Sequence, residues 1–186
     1  MRYTVLTATV LLSLGLASCG SPDTQEDQDA AASVEAMPET QRRAVATLQM
    51  AAGTGAGTAT ATPEGDSVAI ALNVSGLEPG EHGVHVHTIG DCSASDFSSA
   101  GGHWNPAEQA HGLNDPAGQH AGDMPNLTVA PDGTGSLEYI LVGASFDGLI
   151  DEDGSAFVVH AGRDDQITDP AGDSGDRIAC GVFVEG

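Results

Sequence analysis

Residues Gly80–Pro106 read GEHGVHVHTIGDCSASDFSSAGGHWNP and hold four of the chain's seven histidines and one of its three cysteines. The segment His82-Gly-Val-His-Val-His87 alternates as a β-strand does. Side chains in a strand switch faces at each residue, so His85 and His87 share one face while Val84 and Val86 share the other. Two imidazoles on one face backed by apolar residues make half of a metal site, and the rest of the chain must supply the other half.

Working outward, short strand-like runs lie on both sides, separated by Gly, Pro, Asn or Asp. Before the histidine strand come Ala44–Ala51, Gly55–Thr62 and Ser67–Val74. In the last, Val68, Ile70, Leu72 and Val74 are expected to face inward, with Ala69, Ala71 and Asn73 outward. After it come Asn126–Ala130, Ser136–Val142, Ala156–His160 and Ile178–Val184. No stretch has convincing helical periodicity, so the chain reads as all-β, a β-sandwich or a Greek-key barrel of eight short strands. Two segments, Thr88–Ala121 and Ala161–Asp176, lack strand signal. Loops that long in a compact domain need something to order them.

The chain has 186 residues, enough for one β domain. Its 27 acidic residues face five arginines and no lysine, a formal charge of −22. That balance argues against nucleic acid, whose binding needs basic surface to displace counterions from phosphate. The N-terminus reads as a targeting segment: Arg2, an apolar run Val5–Leu16, then Leu16-Ala17-Ser18-Cys19, which resembles a bacterial lipoprotein signal. Residues 1–18 are expected to be removed and Cys19 to carry the lipid. Residues 19–42 are then an acidic tether to a membrane, and 43–186 the folded domain. The location expected is the cell envelope, an oxidising compartment. With Cys19 lipidated, Cys92 and Cys180 remain as an even pair. A bridge between them would close a loop of roughly 90 residues, for which chain entropy allows about 4–5 kcal/mol.

All seven histidines fall between positions 82 and 160. Imidazole suits zinc and copper alike, and a carboxylate completes a tetrahedral zinc site. His103, His111, His120 and Asp123 form one such set. His85, His87 and His160, on or at the ends of strands, form a second, nitrogen-rich set that favours copper.

The motifs His82-Gly-Val-His-Val-His87, Gly90-Asp-Cys92, Gly101-Gly-His-Trp-Asn-Pro106, His120-Ala-Gly-Asp123-Met-Pro-Asn-Leu127, Val158-Val-His160 and Gly175-Asp-Arg-Ile-Ala-Cys-Gly181 run in order across about Arg43–Gly186. In this the sequence resembles bacterial copper/zinc superoxide dismutases. The resemblance implies an eight-stranded Greek-key β-barrel, an Ig-like sandwich, with a long metal-binding loop and a long electrostatic loop. It implies copper on His85, His87, His103 and His160, and zinc on His103, His111, His120 and Asp123, with His103 bridging the two as an imidazolate. By the same resemblance His82 is structural, Cys92 and Cys180 form an intrasubunit disulfide, Arg177 borders the substrate channel, and Asp164 links a copper ligand to a zinc ligand. The implied activity is disproportionation of superoxide to O₂ and H₂O₂ by Cu(II)/Cu(I) cycling. Oligomeric state is open between monomer and homodimer.

Two features depart from the family pattern. Trp104 replaces the more usual apolar residue after the bridging histidine, which is expected to be a packing change. The loop after His160 is rich in aspartate and lacks lysine, so guidance of the superoxide anion rests on Arg163, Arg177 and the copper. A rival reading is a non-catalytic copper/zinc-binding envelope lipoprotein. Such a protein should lack a copper ligand or the channel arginine, and this chain retains both.

Overall fold

The computed structural model describes residues 42–186. The expected signal segment, the expected lipidation site Cys19 and the expected tether up to residue 41 lie outside the described residues. Nine strands follow in chain order: β1 Ala44–Met50, β2 Gly55–Glu64, β3 Ser67–Val74, β4 Gly80–His82, β5 Val84–His87, β6 Leu127–Val129, β7 Gly135–Val142, β8 Ala156–His160 and β9 Arg177–Glu185. The α-helical content of the described residues is the four-residue α1, Phe146–Leu149, capped by the Ser145 hydroxyl.

Seven strands form one antiparallel sheet in the order β5-β8-β9-β1-β2-β3-β7, and β4 pairs with β6 in a second ladder. The expected histidine strand is therefore two strands, broken at Gly83. Its amide donates to Gly162 O and its carbonyl accepts from the His160 amide, 2.8 Å each. A Cβ at position 83 would lie 2.8 Å from Ser174 Cβ and 3.3 Å from His85 Cε1, so only glycine fits this turn of the chain. With β4 and β5 counted as one bent strand the number is eight, as expected, and β6 packs beside β7 to close the circle. The β3–β4 and β7–β8 connections step over neighbours in Greek-key fashion.

The alternation expected in β3 is present: Val68, Ile70, Leu72 and Val74 are buried while Asn73 is exposed. They meet Leu48, Ala59, Ala61, Val86, Leu127, Leu141 and Phe157 in one core. Small and aliphatic side chains dominate it, because the chain has few aromatics.

Strand β5 lies at the end of the large sheet, where an unpaired edge would be exposed. The long loop after it covers that edge. Trp104 N donates to Val86 O (2.8 Å), Val86 N to Gly122 O (3.0 Å) and Gly122 N to Trp104 O (2.9 Å). Isolated bridges place His103 beside His87 and Asp123 beside His85. All four residues of β5 are consequently buried, on both faces. Cys92 and Cys180 are joined, with Cα atoms 5.8 Å apart, which ties the same loop to β9.

Candidate metal centre

Four histidines converge where β5, β8 and the long loop meet. One ring nitrogen from each of His85, His87, His103 and His160 lies within 4.8 Å of the others. The remaining nitrogens of three of them are spoken for. His85 Nε2 contacts Asp164 Oδ2 at 2.7 Å, His87 Nδ1 donates to Gly101 O at 3.0 Å, and His160 Nδ1 to Gly175 O at 3.2 Å. Those bonds set the tautomers, because a neutral imidazole has one N–H and one lone pair. The lone pairs therefore reside on His85 Nδ1, His87 Nε2 and His160 Nε2. These atoms, with His103 Nε2, are buried and have no hydrogen-bond partner. Buried polar atoms almost always find partners. Four that do not, converging on one point, fit an all-nitrogen metal site.

A bulge aims His160. The β8–β9 register shifts between Val159 and His160, pairing His160 with Arg177, and such bulges redirect side chains beside functional sites. Burial drives the pKa values of these rings down, His85 to about 3 and His160 to about 4, with His87 and His103 lowered as well. They are neutral at physiological pH and ready to donate lone pairs to a metal.

The second cluster gathers on Asp123. Its Oδ2 accepts from the amides of Gly112 (2.8 Å) and His120 (3.0 Å), which leaves Oδ1 facing the imidazoles. From Oδ1, His103 Nδ1 is 2.9 Å away, His111 Nδ1 3.2 Å and His120 Nδ1 3.2 Å, and His120 Nδ1 is 3.3 Å from His103 Nδ1. A tetrahedral zinc with ligands at about 2.0–2.1 Å has edges of about 3.3 Å, and these four separations are near that length. His103 thus presents Nδ1 to one cluster and Nε2 to the other. His85, stacked on the His103 ring at 3.9 Å between centroids, also falls within 4.8 Å of His103, His111 and Asp123. Asp164, fully buried, joins the clusters: Oδ2 contacts His85 Nε2 and Oδ1 contacts His111 Nε2 at 3.1 Å. Burial pushes His111 down, but the hydrogen bonds to Asp123 and Asp164 outweigh it and raise the ring to about 10.

Arg177 stands at the margin of the first cluster. Its Nη1 donates to Phe97 O and its Nη2 to Gly101 O, both at 2.6 Å. No carboxylate among the described residues pairs with it. A surface cavity of about 630 Å³ lies elsewhere, against Thr60, Ala69, Ala71, Glu138 and Ile140 of β2, β3 and β7.

Residues 55–183 match the model of the family described as copper/zinc superoxide dismutase. The chain belongs to that family. It is 44% identical over 121 residues to superoxide dismutase [Cu-Zn] 1 of Aquifex aeolicus, a match covering 62% of this chain and 72% of that one. It is 42% identical over 125 residues to the superoxide dismutase-like protein YojM of Bacillus subtilis, spanning 64% of each chain. Among solved structures, the Cu/Zn superoxide dismutase of Brucella abortus matches with a TM-score of 0.63 at 27% identity, covering 75% of this chain and 98% of that one. Copper and zinc are the cofactors of this family, and the two histidine clusters suit them.

The fold gathers the expected His85, His87, His103 and His160 in one group and His103, His111 and Asp123 in another that takes in His85, while His120 reaches Asp123 and His103 from outside that group and His82 is kept apart. Its Nδ1 lies 2.8 Å from His160 O and its Nε2 2.9 Å from Glu78 O, so both nitrogens are occupied by backbone. Trp104 is buried under α1, against Gly148, as a packing residue. Arg163 pairs with Glu81 at 3.2 Å on the surface, whereas Arg177 stands beside the centre. Sequence reasoning missed the carbonyls of Phe97, Gly101 and Gly175, which carry no side-chain signature, and the amides of Asn126 and Gln166. Asn126 lies inside a quoted motif, and its spacing from Asp123 was the available signal.

Proposed function

We propose that this chain is a superoxide dismutase, converting two superoxide anions and two protons to O₂ and H₂O₂. The observation that carries the reading is the set of four buried, partnerless imidazole nitrogens with an unpaired guanidinium beside it. His85, His87, His103 and His160 would hold copper. His103, His111, His120 and Asp123 would hold zinc. Bound copper supplies the one-electron oxidation and reduction, and bound zinc supplies fixed charge and order, having no redox chemistry of its own.

The chain's own residues do the rest. Arg177 gives the incoming anion a fixed positive charge, and its two carbonyl partners prevent the fork from swinging away. His103 would hold a proton at Nε2, the ring atom facing the reacting centre, whenever that nitrogen is free of copper, and would pass it to the reduced product. Its Nδ1 would stay with the zinc set that includes Asp123. The outer partners Asp164, Gly101 O and Gly175 O keep the other three rings in orientation.

The rival reading is a non-catalytic metal-binding member, which the name of the Bacillus subtilis relative, superoxide dismutase-like, keeps in view. Turnover by the copper- and zinc-loaded protein, with His160→Ala as control, separates the two. Dismutation is expected in the parent and a loss of at least about 100-fold in the variant. Metal uptake without turnover in the parent would establish the rival.

We also propose an envelope location through lipid on Cys19, supported by the apolar run and the Leu16-Ala17-Ser18-Cys19 sequence. The mass of the mature N-terminal peptide tests it, and an unmodified Cys19 overturns it.

A further inference from the structure

Asn126 closes the metal loop just before β6, and its side-chain amide grips one residue of the other loop from both sides. Asp164 N donates to Asn126 Oδ1 at 2.8 Å, and Asn126 Nδ2 donates to Asp164 O at 2.9 Å. This is the reciprocal pairing that one strand residue makes with another across an antiparallel ladder, here supplied by a side chain. A primary amide carries a donor and an acceptor side by side. Aspartate at 126 would set oxygen against the Asp164 carbonyl, and alanine would make neither bond.

The residue so held is the one whose carboxylate joins His85 to His111. Two further contacts fasten the same loop. Gln166 N donates to Asp164 Oδ1 at 2.6 Å, and Gln166 Nε2 donates to Met124 O at 3.2 Å. The metal loop answers with Asn114 N, donating to Gln166 O at 3.1 Å. Gly112 is essential to that approach, since a Cβ there would lie 2.1 Å from Gln166 O. All of these bonds are protein–protein bonds and need no metal to form.

We infer that Asn126 is a positioning residue that locks the two loops into one body and aims Asp164 between the clusters before metal binds. It touches neither cluster, yet it governs both through a single carboxylate. The inference deepens the two-metal reading above and rests on it.

The test uses the full mature chain as parent, Asn126→Ala and Asn126→Asp. Three measurements are made: zinc affinity by chelator competition, the visible absorption of bound Cu(II), and amide exchange of the metal-free proteins. Loss of partners that orient ligands costs tenfold or more in metal affinity. Asn126→Ala is expected to weaken zinc by about tenfold and to shift the copper band, because His85 loses its fixed orientation. Asn126→Asp should weaken zinc at least as much. A merely structural role would lower stability without moving the copper band. Zinc affinity within about twofold of the parent, with an unchanged copper band, overturns the inference. Where both variants fail to fold, the metal-free parent decides. The Asp164 amide should be protected, and exchange at the rate of an open loop overturns the inference. A parent that takes up neither metal overturns the two-metal reading itself, whereas uptake with an indifferent Asn126→Ala overturns only the role of Asn126.

Discussion

His103 offers its two ring nitrogens to different clusters, Nδ1 towards Asp123 and Nε2 towards the all-histidine group. A ring with a metal on both nitrogens keeps no N–H, so filling the second site must expel a proton. Adding Cu(II) to the zinc-loaded protein near neutral pH should release about one proton per copper. Titration calorimetry in buffers of different ionisation enthalpy reads this directly, and identical apparent enthalpies would refute it. The other histidines set the pH response of the metal-free protein. Burial lowers His85 to about 3 and His160 to about 4, from an ordinary 6.5. Protons therefore favour the unfolded chain, and stability present above pH about 6.5 is lost as pH falls towards 4. His111 works in the opposite sense. Raised to about 10, it contributes stability that is full below pH about 6.5 and lost as pH rises towards 10. Unfolding midpoints of the metal-free domain should thus peak near pH 6–7, and a flat profile from 4 to 9 would contradict these assignments.

At the scale of elements, the segment from Cys92 to Gly101 does two jobs. The disulfide ties it to β9, and its carbonyls at Phe97 and Gly101 hold Arg177, itself the first residue of β9. Gly101 O also accepts from His87, so the guanidinium and a copper-cluster ring share one acceptor. Replacing both Cys92 and Cys180 with alanine should cost about 2–4 kcal/mol in urea unfolding. It should also lower turnover per bound copper, because Arg177 loses its frame. A variant with lowered stability but full turnover per copper would show that the segment keeps its place without the bridge. Little of this was legible in the sequence. The alternation of Ser67–Val74 announces a strand with one buried face, but that of His82–His87 runs unbroken through Gly83 and hides the change of sheet. The break depends on Ser174, from a loop more than 90 residues away, packing against Gly83.

Over the whole molecule, a charge of −22 opposes an anionic substrate. Arg163 pairs with Glu81, and Arg42 with Glu185 and Asp147, so in the proposed reading the field at the centre rests chiefly on Arg177 and the metals that would bind there. At physiological salt the Debye length is about 8 Å, so distant carboxylates are screened while a guanidinium at the mouth of the site is not. Turnover should therefore hold steady or fall modestly as salt rises above about 0.15 M. Turnover that climbs steadily with salt would show that the global charge controls access.

The sequence by itself determined which donor groups this protein can offer to a metal. Histidines confined to one region, with an aspartate and two cysteines in a recurring order, name the donor atoms because donor identity belongs to the residue type. Alternating aliphatic residues likewise dictate buried strands, since a period of two admits one inward face. Only the tertiary structure decided which ring nitrogen faces which partner, how His160 is turned by a bulge, that Arg163 is paired off, and that Asn126 and backbone carbonyls hold the centre in place. Those are distances between residues remote in the chain. Backbone groups are the same at every position, so no local pattern records which of them a fold will use.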